Sequence, residues 1–117
     1  MKANLALLAG ALALGACTPQ QDFAYFEKHT GEIVRVVGRA GDGWEHMTGS
    51  VPGKTIVYID LDKGKHQIVG HFATVPTCPG GFEAEGRVFE VRGPSKGGRG
   101  EEHREYALDV TSWRCVQ

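Results

Sequence analysis

Phe82-Glu83-Ala84-Glu85-Gly86-Arg87-Val88-Phe89-Glu90-Val91-Arg92-Gly93 is the stretch whose reading decides the fold. Side chains alternate sides along a strand, so Phe82, Ala84, Gly86 and Val88 share one face while Phe89 and Val91 fall on the other. A flat sheet with one core offers the second pair nothing to bury against. A bulge between Gly86 and Phe89 turns both sets inward, and bulges of that kind bend strands where a sheet rolls up on itself. A polar loop and then Glu105-Tyr106-Ala107-Leu108-Asp109-Val110 follow, with Tyr106, Leu108 and Val110 on one face.

Outward from this stretch the same texture repeats. Residues 32–39, 54–62 and 65–74 are rich in β-branched side chains and bounded by glycine, which predicts three more strands beside those at 82–92 and 104–114. Val57, Ile59 and Leu61 line one face of their strand. Asp62-Lys63-Gly64-Lys65 reads as a tight hairpin, because Gly64 accepts a positive φ. Asp22 can cap a short helix that places Phe23 and Phe26 on one side and stops at Gly31. Five strands, strong bends and 17 glycines predict an all-β, closed or nearly closed barrel. A two-sheet sandwich holds the same strands with different pairing and is the alternative.

The residues quoted at 82–93 and 105–110 resemble the end of an oligonucleotide/oligosaccharide-binding (OB) fold, and the first three strands fit its start, so the resemblance spans residues 31–116. The helix usual between the third and fourth strands is missing, since Val75-Pro76-Thr77-Cys78-Pro79-Gly80-Gly81 holds only a turn; the segment at 23–30 is the candidate plug for the barrel end. The resemblance implies that the connections after strands one and four flank a ligand face. Residues 40–53 carry Trp44 and His46, and residues 93–103 carry Lys96, Arg99 and His103 with Arg92 at their edge. Trp44, His46, Arg92, Lys96 and Arg99 are therefore the candidate ligand-binding set, an aromatic beside cations that suits a planar or sugar ring bearing an anionic group. The competing reading folds Trp44 back over the barrel mouth and leaves the cations to solvate a glycine loop.

Lys2, the apolar run from Leu5 to Leu14 and the small residues before Cys17 have the layout of a cleaved export signal, too short to span a bilayer, which takes roughly 20 apolar residues. Leu14-Gly15-Ala16-Cys17 resembles the lipobox of a bacterial lipoprotein precursor, with Gly15 where Ala or Ser is commoner. That resemblance implies lipidation of Cys17 after cleavage, and Thr18 rather than Asp after it favours the outer membrane of a two-membrane cell. The expected organisation is a signal peptide at 1–16, a lipidated tether at 17–22 and one β-barrel domain at 23–117. Several acyl chains give a stable anchor where one does not. The remaining Cys78 and Cys115 are expected to pair, because an exported compartment is oxidising. A metal site built with His66, His71 or His103 is the rival, and it lacks the close Cys or His pairing of zinc sites.

A net charge of −1 gives no global basic field for nucleic acid, and Glu101-Glu102 dilutes the patch at Lys96 and Arg99. There is no Gly-x-Ser-x-Gly elbow, phosphate loop or metalloprotease helix, so no enzyme activity and no cofactor are expected. The expected function is a non-catalytic binding module, lipid-anchored in the cell envelope at the periplasmic face, for an envelope protein or glycan. Two alternatives are a structural or exclusion-type lipoprotein that contacts a membrane complex through a strand edge, and, behind it, a small hydrolase.

Overall fold

In the computed structural model, residues 19–43, 46–61, 64–94 and 102–116 are described. The leader with Cys17, the loop residue Trp44, and Lys96 and Arg99 lie outside them. The elements are α1 (Phe23–Lys28), β1 (Ile33–Ala40), β2 (Thr55–Leu61), β3 (His66–Phe72), β4 (Phe82–Pro94) and β5 (Glu102–Cys115). β1 pairs with β2 and β4, β2 with β3, β4 with β5, and β3 runs parallel to β5, which closes an OB-like ring in the order β1-β2-β3-β5-β4. The sandwich alternative is thereby replaced by a barrel, in which closure pairs most of the sheet edges and the β1–β2 ladder covers only Gly38 to Ala40.

Alternation delivers the core. Val34 and Val36, Val57, Ile59 and Leu61, Ile68 and Phe72, Phe82, Ala84 and Val88, and Leu108 and Val110 all point inward and are buried. Phe26 joins them from α1, so the helix stops one end of the ring. Its N-cap is Asp22, whose Oδ1 accepts from the Tyr25 backbone N–H at 3.0 Å. No helix lies between β3 and β4, where Gly81 N–H closes a turn on the Cys78 carbonyl at 3.1 Å. Cys78 and Cys115 form a disulfide with Cα atoms 5.4 Å apart, joining that connection to the last residue of β5. Trp113 packs half-buried on the core near that end. Gly64 has φ 90° at the β2–β3 hairpin.

Two expectations are corrected. The irregularity in the β4–β5 ladder falls between Glu85 and Gly86, where Glu85 faces Ser112 and Gly86 faces Val110, leaving Thr111 as the extra residue on β5. Val88 therefore keeps the inward parity of Phe82 and Ala84, while Phe89 and Val91 stay on the outer side, half-buried. The second correction concerns length. The ladder continues to Pro94 opposite Glu102, so Gly93, Pro94, Glu102 and His103 belong to strands rather than to a long loop, and Arg92, in β4 as expected, faces Arg104.

Candidate functional site

What covers Phe89 and Val91 is the connection after β1. Residues 46–54 lie as a strap across the outer face of β3, β5 and β4, and each part of the strap has its own anchor. Met47 N–H donates to Glu105 Oε2 at 3.2 Å. His71, on the outward parity of β3 yet only 1% exposed, donates from Nε2 to the Thr48 carbonyl at 2.8 Å. Its ring leans on Phe89 with centroids 5.5 Å apart. Gly49, at φ 66°, presses its backbone so close to Val91 that a methyl group there would stand 3.1 Å from it. Lys54 Nζ ends the strap with bonds to Asp109 Oδ1 and the Val110 carbonyl, both 2.6 Å. The strap thus gives the outward apolar residues a second, smaller buried layer.

Where the strap begins, it meets β3, β5 and α1 around a cleft of about 360 Å³. Phe23, Phe26, Ile68 and Tyr106 are its apolar lining, with Phe23 and Tyr106 set edge-to-face at 5.2 Å. His46, His66, His103 and Lys65 contribute the polar lining with Gln67 and Glu105. His46 bridges two strands: Nδ1 lies 2.8 Å from Glu105 Oε1, and Nε2 lies 2.9 Å from Gln67 Oε1. Gln67 in turn donates from Nε2 to the Asp42 carbonyl at 2.9 Å and to Asp60 Oδ1 at 2.7 Å. His103 Nε2 comes within 3.3 Å of the other Glu105 oxygen. His66 Nε2 lies 2.7 Å from the Gln20 side-chain nitrogen.

Of the expected ligand set, His46 forms part of this cleft. Arg92 does not line it. Its guanidinium holds Glu90 at 2.8 Å and Glu102 at 3.0 Å on the outer surface. The hydrogen bond from Arg92 keeps the Glu90 carboxyl below the ordinary carboxylate range, and the same bond, with the nearby charges of Glu90 and Glu102, raises the Arg92 pKa further. Trp44, Lys96 and Arg99 lie outside the described residues. Gln67, Glu105, Phe23 and Tyr106 were not picked out from the sequence as site residues; Gln67 sits beside His66 at the polar start of β3, which gives it no distinct local signal.

A cleft with an apolar lining and a few polar groups suits reversible binding of a small group. Among the described residues, no group of three or more His, Cys, Asp or Glu is placed to hold a metal ion, and no helix is long and apolar enough to cross a membrane. No family model matches the chain, and neither the curated proteins nor the solved structures contain a match.

Proposed function

We propose that the chain is a non-catalytic binding module of the cell envelope, lipid-anchored through Cys17, that takes a sugar ring or an exposed side chain of an envelope protein into the cleft between α1, the strap and the starts of β3 and β5. The observation that carries this reading is the cleft, whose lining joins Phe23, Phe26, Ile68 and Tyr106 with hydrogen-bonding side chains from the strap, β3 and β5. Such a pairing of a ring-sized apolar face with fixed polar groups gives orientation as well as affinity. The position also supports an anchor, because Gln21 and Asp22 line the cleft and follow closely on Cys17 in the sequence, so a lipid there holds the opening near the membrane surface.

The test immobilises the full chain, exposes it to solubilised envelopes, and compares it with a Phe23→Ser/His66→Ala double variant. Both positions are accessible enough for the barrel to survive. Capture should fall roughly tenfold or more, the effect of losing an aromatic anchor and one hydrogen bond; undiminished capture by the double variant defeats this placement. Mass spectrometry of the mature amino terminus should find an acylated Cys17, and an intact leader defeats the anchor.

A second reading has its own observation. The β1–β2 register runs only from Gly38 to Ala40, while Ile33 and Val37 are about half exposed, at 50% and 54%. Gln21 reaches the Arg35 carbonyl from the side away from β4 at 2.8 Å, so the backbone groups of odd-numbered β1 residues point that way. Such an edge accepts an added strand. Val37→Pro removes a donor on that side alone; loss of partner binding in this variant, with the cleft variant intact, favours the edge.

A further inference from the structure

We propose that the strap is a pH-operated latch on the cleft, closed by a positively charged imidazole at His46 and released when that ring gives up a proton to solvent. The reason is hydrogen-bond valence. Nδ1 of His46 faces the Glu105 carboxylate, and an ionised carboxylate only accepts. Nε2 faces the Gln67 amide, whose orientation is fixed because its nitrogen already donates to two acceptors, the Asp42 carbonyl and the Asp60 carboxylate. The amide oxygen is therefore the atom left facing His46, and it too only accepts. Both ring nitrogens must carry a proton for the arrangement to be satisfied. A neutral ring sets one lone pair against another, either at Glu105 or at Gln67, in a half-buried site where an unmet polar contact is costly.

The titratable and charged groups around the ring, among the described residues, are Glu105 and His103 on β5, Lys65 and His66 at the start of β3, Asp22 beside α1, and Tyr58 and Asp60 on β2. Among the described residues, Glu105 is a carboxylate in direct contact with the ring. It also receives the strap's Met47 N–H, so the pair of charges joins the strap to β5 while Gln67 joins it to β3.

The other end of the latch responds in the opposite sense. His71 donates from Nε2 to Thr48, and its buried Nδ1 has no partner. A second proton there places a buried N–H without an acceptor on a ring that packs against Phe89. The docked strap therefore requires His71 neutral and His46 charged. On the alkaline side the sign is set by His46: the docked arrangement needs a proton on both ring nitrogens, so the strap is held at lower pH and released when the ring loses one of them.

This deepens the cleft reading, since His46 is part of the cleft's polar lining, but the latch is read on its own. Nitrogen-15 ring shifts of the histidines and hydrogen exchange of the 46–54 amides, corrected for intrinsic rates, are followed in the full chain in detergent from about pH 5.5 to about pH 8.5. Expected are two protonated nitrogens on His46 while the strap is protected, and a roughly tenfold or greater loss of protection in step with its deprotonation. His46→Gln should give weak protection without the alkaline loss. Glu105→Gln supplies a second, milder variant: its amide can donate to a neutral Nδ1, so the strap should stay docked at alkaline pH. A singly protonated His46 under a protected strap, or the same alkaline loss in wild type and Glu105→Gln, overturns the latch. Absent envelope capture with a strap that titrates as stated defeats the cleft and leaves the latch standing; intact capture over a strap indifferent to pH does the reverse.

Discussion

Gly38 stands where β1 passes from β4 to β2, and a methyl group on it would lie 2.3 Å from the Asp60 carbonyl oxygen. Backbone, unlike a flexible side chain, cannot swing aside. Gly38→Ala should cost about 2 kcal/mol or more, seen as a lower denaturant midpoint at unchanged slope. At Glu90 the prediction concerns charge. Its carboxyl is held low first by the hydrogen bond from Arg92, so the pair contributes stability above the ordinary carboxylate range and loses it as pH falls through the depressed value. Arg92→Gln should return the Glu90 titration, followed by carbon-13 NMR, towards that of a free glutamate; an unmoved titration assigns the depression to Arg104 or Tyr106 instead.

An element as short as α1 cannot persist alone, because a six-residue helix barely exceeds its own nucleus. Docking of Phe26 sustains it, and Phe26→Ala should cost about 3–5 kcal/mol and release the segment to proteolysis well below the melting of the barrel. The strands, the Gly64 hairpin and the helical plug were all legible in the sequence because each is written in local alternation, capping or glycine placement. The outward course of Phe89 and Val91 was not. Reading them inward assumed that every apolar residue must reach a single core, whereas Thr48, Gly49 and the length of the strap supply a second cover that carries no periodic signal. Polar, glycine-rich residues 93–103 read as a loop, yet cross-strand pairing with β5 carries β4 to Pro94. The site was the least legible of all, since Gln67 and Glu105 meet only through the parallel β3–β5 pairing, which neither segment announces by itself.

Taken whole, the barrel has α1 at one end and the Cys78–Cys115 bond at the other, because Phe23 meets Tyr106 near the start of β5 and Cys115 is its last residue. The bond joins residues 37 apart, and the loop-entropy relation gives it about 4 kcal/mol. A Cys78→Ser/Cys115→Ser variant should lose that much in denaturant titration while keeping its β-sheet circular dichroism in the absence of denaturant. The position of the bond also decides how the chain bears tension. A pull between the two ends of the chain passes from Cys78 straight to Cys115 through sulfur, so β4 and nearly all of β5 are bypassed and cannot be drawn out. Stretched singly, the oxidised molecule should stop short of the reduced one by about 120 Å of contour, the reach of the enclosed residues. Redox state, by this route, decides how much slack the chain can give under load.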